Sequence, residues 1–385
     1  MKVGILRNAE AKSNAGILRI TDALVDIGIK PVIISRSRFI NGQKKRYINK
    51  SIEYKGQSIP NYEMQIETEF GRGLKNLYQL IQYQLFTLIW LLQNKDKVDV
   101  IHAFDLDAGL PALIYSKLTK KKFIYHIADF YIDSRQGIPL KIKKYVKKLE
   151  YYLISQADAT IICTDDRKYQ IKGSSPKALY VIHNSPVEEY KVAKNTNNLI
   201  GTKNNSNGSL TLGYVGGLSD KRFIDKVLKF ARENPEFTLK LAGYGRIEKA
   251  VKEAASKYAN IHFYGRVSYE EALNLYSTCD VMFAIYDPTV PNHKYSAPNK
   301  VYEAMMLGLP IIVAKDTGID SIVETEKIGF SINYNEESFT DIIKYLNENK
   351  YVLEEFNINS KKAYSYYSWE NMKKKVQEIY TNIWQ

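Results

Sequence analysis

The sequence predicts an α/β protein built from two Rossmann-like domains. Three observations point there. A chain of 385 residues is long enough for two ordinary hydrophobic cores. Short apolar runs of strand length alternate with helical periods along most of the chain, the pattern of parallel sheets covered by helices. Between the halves, residues 189–208 contain VAKNTNNLIGTKNNSNG, whose Asn, Lys and Thr content reads as a linker. The expected divisions are therefore 1–188, the linker 189–208, a second domain at 209–366, and a last helix at 367–385.

Composition bounds the function. With 45% hydrophobic and 25% charged residues, the chain has a soluble globular make-up. Its longest unbroken apolar run, Val281 to Tyr286, is far too short to span a bilayer. MKVGILR reads as a first strand and not as a signal peptide. Cys163 and Cys279 lack metal-ligand spacing and lie in or beside apolar stretches, as buried thiols in a reducing cytosol would. The net charge of +13 is uneven: residues 1–190 hold 30 Lys and Arg against 19 Asp and Glu, the remainder 25 against 23. An excess confined to one half fits an anionic membrane surface, an acidic substrate or nucleic acid, or nothing specific. No nucleic-acid-binding motif accompanies it, so no nucleic-acid partner is expected.

Taken in order, Val3–Leu6 reads as a strand, the segment from Gly16 to about Gly28 as an amphipathic helix, and Pro31–Ser35 as the next strand. The intervening loop, with Asn14 and Gly16, lies where open α/β sheets bind ligands, though a plain connection has the same pattern. Residues 40–70 suggest an irregular strand pair. Leu74–Leu92 is a greasy helix, of the core or of a membrane-facing surface. Asp99–Phe104 is a strand followed by Asp105 and Asp107 in a loop, then a helix from Gly109. Lys122–Ile127 is a strand ending near His126 and Asp129. By alternation His126 and Ala128 should face one way and Asp129 the other, and a helix cap or turn would explain Asp129. Pro139–Ser155 is an amphipathic helix with five lysines between Lys141 and Lys148, either a solvated face or a contact for anionic lipid.

The second half begins with strand Leu210–Val215 and Gly216-Gly217, whose missing side chains let a backbone approach a diphosphate. Lys221 and Arg222 follow as basic candidates. Strands are expected at Thr238–Ala242 (before Gly243), Ile261–Tyr264, Asp280–Ala284 and Ile311–Ala314. The stretch from Lys294 to Glu326 is the organising one. Ser296 is the expected N-cap of a helix closed by Gly308, and Asn299, Lys300 and Glu303 form a polar trio near its start. A helix N-terminus with a lysine for phosphate and a carboxylate for two hydroxyls suits a nucleoside diphosphate. A surface ion pair is the plain alternative. The run Lys373–Lys375 in the last helix reads as a solvated face.

SAPNKVYEAMMLGLPII resembles the donor-binding segment of the GT-B glycosyltransferases, especially retaining family 4, and the ordered glycine turns of the second half resemble that family's donor domain. The resemblance implies two Rossmann-like domains facing across a cleft, with the C-terminal helix crossing back to the first. It implies a retaining transfer of a sugar from a nucleotide-sugar donor to a saccharide or lipid-linked acceptor, in polysaccharide or glycolipid biosynthesis. Glu303 would grip the ribose. Gly216, Gly217, Arg222 or Lys221, Gly243, Lys300 and Asn299 would line the donor site. Asp129, with His126, would serve the reacting sugar, and Asn14 and Gly16 the acceptor side. No metal and no cofactor are expected. The protein would be cytoplasmic and peripheral at the inner membrane face. Three departures stand out: Tyr295 occupies the position of a sugar-contacting glutamate, Gly217 that of an arginine, and Ala128 that of a histidine. They keep open a sugar-nucleotide epimerase or phosphorylase on the same scaffold, or a non-catalytic partner subunit.

Overall fold

Four consecutive apolar residues, Val3–Leu6, form β1, and all four are buried because a central parallel strand is covered on both faces. In the computed structural model, which describes residues 1–37, 47–67, 76–135, 138–187 and 208–384, the chain falls into two units. One is Met1–His183 with Glu370–Gln385, the other Asn184–Trp369. The expected linker lies outside the described residues except for Gly208.

The first unit runs β1 (Val3–Leu6), α1 (Ala15–Asp26), β2 (Val32–Ser37), β3 (Tyr47–Tyr54), β4 (Gln57–Gln65), α2 (Leu77–Gln93), β5 (Val100–Phe104), α3 (Asp105–Thr119), β6 (Lys122–Ile127), α4 (Tyr131–Ser134), α5 (Leu140–Gln156), β7 (Ala159–Ile162), α6 (Arg167–Gln170) and β8 (Leu179–Val181). Its sheet has eight strands in the order β3-β4-β2-β1-β5-β6-β7-β8. All neighbours are parallel except β3 and β4, an antiparallel hairpin turned at Lys55-Gly56 with positive φ at both residues. The strand pair expected in residues 40–70 is therefore a regular hairpin over its described part. Right-handed crossovers put α2, α3 and α5 on one face, with α3 packed between the other two. Helix α1 covers the opposite face.

The second unit runs β9 (Thr211–Gly217), α7 (Ile224–Glu233), β10 (Thr238–Tyr244), α8 (Glu248–Lys257), β11 (Ile261–Phe263), α9 (Tyr269–Ser277), β12 (Val281–Ala284), α10 (Asn299–Leu307), β13 (Ile311–Ala314), α11 (Ile319–Thr325), β14 (Gly329–Ile332), α12 (Glu336–Glu348) and α13 (Tyr351–Tyr367). Six parallel strands lie in the order β11-β10-β9-β12-β13-β14. Strand order reverses between β9 and β12, and the carboxyl ends of strands at such a switch point are where α/β sheets take ligands.

Helix α14 (Trp369–Trp384) then returns the chain to the first unit, beside α1. The lysine run on it is not a solvated face throughout. Lys373 is buried and pairs with Asp26 at 2.7 Å and Glu370 at 2.6 Å, with Asp22 at 3.7 Å. Burial works against its charge, but the hydrogen bonds to Asp26 and Glu370 prevail and raise its pKa. Asp105 and Asp107, expected in a loop, belong to the first turn of α3. Both cysteines are buried, as expected.

Candidate donor site and the β6 edge

Two cations meet two tyrosines at the switch point of the second unit. Tyr214 points from β9 and Tyr286 follows β12. The Lys300 ammonium lies 4.7 Å from the centre of the Tyr214 ring, and the Arg222 guanidinium 5.0 Å from that of Tyr286. Arg222 also donates to the Tyr214 hydroxyl at 3.4 Å, and that hydroxyl donates to the Gly217 carbonyl at 2.9 Å. Burial disfavours charge on Lys300, yet Tyr286, Tyr214 and Glu303 hold it protonated and raise its pKa. Burial likewise opposes ionisation of Tyr286, but Lys300 and Arg222 lower its pKa on balance.

The glycines have two different jobs. Gly216, at φ +151°, leaves room for Lys300: a Cβ there would sit 2.8 Å from Nζ. Gly217 continues the opening, with the Arg222 guanidinium in ordinary contact distance of a Cβ added there. Gly243, at φ +133°, stands opposite Gly216 in the β9–β10 ladder, and a Cβ on it would lie 1.8 Å from the Gly216 carbonyl oxygen. It keeps the two strands in register beneath the site. Both Gly216 and Gly217 belong to β9 itself, not to a loop after it.

Of the two basic candidates, Arg222 faces the cluster. Lys221 is 48% exposed and held at 2.8 Å by Asp287. Asn299, Lys300 and Glu303 all lie on α10; Lys300 and Glu303 are buried and Asn299 half-buried. Ser296 is not the N-cap. Pro298 occupies that position, and the Ser296 hydroxyl is buried without a hydrogen-bond partner among the described residues. Tyr295 ends a short 3-10 turn whose first residue, His293, packs on Tyr286 at 5.2 Å and bonds the Asp287 carbonyl oxygen through Nδ1 at 3.0 Å. Tyr214, Tyr286 and His293 were not expected from the sequence. Their signal was position alone: Tyr214 lies within β9, Tyr286 two residues after β12, and His293 in the loop that follows, at the reversal of strand order.

In the first unit, Asn14 caps α1, accepting from the Ile17 N–H at 3.1 Å. Gly16, the second residue of α1, leaves the space beside it to the Arg7 guanidinium. His126 and Asp129 part company. Asp129 is exposed at the carboxyl edge of the sheet; His126 is buried, its ring stacked on Phe104 at 4.4 Å. The Ala128 and Asp129 N–H groups donate to Asp105 Oδ1 at 2.8 and 2.9 Å. Asp105 takes a left-handed φ of +57°, and burial raises its pKa to about 6, against the opposing pull of Arg7. Asp107 binds Asn8 at 2.8 Å and Arg135 at 3.2 Å. The Asp-x-Asp pair thus shapes the edge of β6.

Chemically, a backbone stripped of side chains, two cations and a helix N-terminus are groups that can hold a phosphate. Two α/β units, each built on its own Rossmann-like sheet, have the GT-B fold. The second unit carries the sequence match: residues 196–363 fit the family model of the Glycosyl transferases group 1. The resemblance to GT-B glycosyltransferases thus holds both in fold and in the family model. Among solved structures, the sucrose-phosphate synthase of Thermosynechococcus elongatus aligns with a TM-score of 0.73 at 13% identity, over 99% of this chain and 98% of that one. Anabaena HepE in complex with UDP-glucose gives 0.71 at 16%, over 99% and 100%. The catalytic domain of starch synthase IV from Arabidopsis thaliana, bound to ADP and acarbose, gives 0.67 at 13%, over 99% and 98%. No curated protein matches the sequence.

Proposed function

We propose that the protein is a glycosyltransferase that moves a sugar, with retention of configuration, from a nucleotide-sugar donor to a saccharide or lipid-linked acceptor in polysaccharide or glycolipid synthesis. The observation that carries this is the pairing of Lys300 and Arg222 on Tyr214 and Tyr286 beside the Gly216–Gly217 backbone. Two fixed cations match a diphosphate leaving group and stabilise its charge as the glycosidic bond breaks, with no metal required for that balance. Glu303, on the same helix, would accept hydroxyl hydrogen bonds from the ribose. Asp129, exposed at the carboxyl end of β6, serves the acceptor side of this reading, with Asn14 and Gly16 on the neighbouring loop. That proteins of the same fold bind UDP, UDP-glucose or ADP supports the donor class.

The test is a panel of nucleoside diphosphates by thermal shift, since a ligand that binds only the folded state raises its apparent stability. Labelled sugar nucleotides are then followed with and without oligosaccharide acceptors. Release of diphosphate together with an extended acceptor supports transfer, and Glu303→Ala should abolish most of it. Tyr295 in the glutamate position favours one second reading, an epimerase. A new sugar nucleotide formed without acceptor would support that instead.

We place the working surface at an anionic bilayer. Among the described residues no helix is long and apolar enough to cross a membrane, so the contact would be peripheral. Helix α2 has no charged residue, yet Leu77, Ile81, Leu85 and Ile89 form an exposed row at every fourth position. On α5, exposed Leu140, Ile142, Tyr145, Leu149 and Tyr152 alternate with lysines. Apolar anchors amid snorkelling lysines suit a headgroup boundary. Sedimentation with anionic vesicles should recover the protein, and neutral vesicles should not. Equal recovery, or unchanged recovery for Leu85→Glu, removes the membrane from this proposal.

A further inference from the structure

We infer that Tyr380 and His102 act as positioning residues that lock His126 in its Nε2–H form, so that a neutral N–H donor meets a substrate oxygen at the carboxyl end of β6. The chain lies wholly within the first unit. The Tyr380 hydroxyl, on α14, is 2.7 Å from His102 Nδ1, and His102 Nε2 is 3.0 Å from His126 Nδ1. All three residues are buried.

The direction of the bonds follows from counting hydrogens. Among the described residues, His102 is the only hydrogen-bond partner of the Tyr380 hydroxyl. A buried O–H without an acceptor is costly, so the phenol donates and His102 Nδ1 accepts. The neutral His102 ring then carries its proton on Nε2 and donates to His126 Nδ1. His126 must in turn carry its own proton on Nε2. The reverse arrangement would leave the phenolic hydrogen buried with nothing to accept it.

Neutrality is supported separately. Burial first, and Arg7 second, lower the His102 pKa to about 3. Burial, His102 and the guanidinium groups of Arg7, Arg19 and Arg167 depress His126 well below the usual range. His126 is therefore unsuited to act as a proton acceptor through Nδ1, which is already engaged. Its Nε2 has no partner among the described residues, and the residue keeps 6% exposure. The Phe104 ring fixes its tilt at 26°. That the oxygen it meets belongs to a sugar substrate rests on the function proposed above; the tautomer does not.

The experiment is a long-range 1H–15N spectrum of the full chain labelled at its five histidines, with His126→Gln to assign the signals. His102 and His126 should both show protonated Nε2 and bare Nδ1, without an imidazolium between pH 8 and pH 5. Tyr380→Phe should release the lock and shift both rings toward mixed tautomers. With the labelled sugar nucleotide that the protein turns over, His126→Ala should lower kcat/KM about tenfold, the loss of one hydrogen bond. His126→Gln, which keeps an N–H near the same place, should restore most of it. An Nδ1–H signal from His126 in the unaltered protein overturns the inference, as does a Tyr380→Phe spectrum identical to it. The expected tautomers in a protein that transfers no sugar would support the lock and count against the proposed function.

Discussion

The Lys300 ammonium sits over the Tyr214 ring at 4.7 Å, in the space that a side chain on Gly216 would occupy. A strand end and a helix start, more than eighty residues apart in sequence, thereby form one cationic surface. Removing the ammonium should weaken nucleoside diphosphate binding without unfolding the unit. Lys300→Met is expected to raise Kd between about tenfold and a hundredfold, the range of a lost charged hydrogen bond at ~1.5–3 kcal/mol. Titration calorimetry with the tightest nucleotide of the panel checks it, and an unchanged Kd would contradict the phosphate role.

Gly243 answers to a different test. Its Cβ would fall 1.8 Å from a backbone oxygen, which cannot rotate away, at a φ that side chains rarely adopt. Gly243→Ala should therefore lower the melting temperature sharply or abolish soluble expression. Nucleotide binding in any folded fraction should change less than in Lys300→Met. The reverse ranking would make Gly243 a ligand contact instead of a packing requirement.

Glu150 supplies a dependence on pH. Its carboxylate is buried on the inner side of α5, where it accepts from the Tyr125 hydroxyl at 2.8 Å and the Tyr131 N–H at 3.2 Å. Burial outweighs both bonds and lifts its pKa from 4.5 to about 8. Because the folded state holds this proton more tightly, stability falls as pH rises from about 4.5 to about 8, then levels. Glu150→Gln should flatten that slope and gain on the unaltered protein toward pH 8, by up to a few kcal/mol. Denaturant melts at pH 5, 6.5 and 8 measure it; parallel curves for the two proteins would refute the assignment.

Lys373 joins α14 to α1 through Asp26, with Asp22 nearby in the interior. Lys55 also pairs with Asp22 at 2.7 Å and Asp26 at 3.2 Å, so Lys373→Ala leaves both carboxylates a cation and should cost about 1 kcal/mol. The Lys373 hydrogen bond, though opposed by burial, lowers the Asp26 pKa from 3.8. That share of stability is thus full above pH 3.8 and is lost as pH falls through the folded value. Unfolding followed at pH 7 and pH 3 should show the two proteins converging under acid.

The sequence was most informative where local pattern and burial agree. Val3–Leu6, Lys122–Ile127 and Ile311–Ala314 match their expected strands residue for residue, because an apolar run bounded by turns leaves little choice. It was least informative where a polar residue depends on distant neighbours. Lys373 looks like any solvated lysine until α14 lies against α1. Ser296 has the chemistry of a cap, but the helix starts later, after Pro298.

What the sequence by itself determined is the alternation of strands and helices, the glycine turns, and the polar trio Asn299, Lys300 and Glu303 on one short helix. These are set by spacing along the chain, which periodicity reports directly. Only the tertiary structure chose Arg222 over Lys221, brought Tyr214 and Tyr286 to the cations, gave Gly243 to the strand beneath, and strung Tyr380, His102 and His126 together. Those relations join residues that are remote in sequence and depend on which side chains the packed sheets bring within a few ångströms. No local pattern encodes that distance.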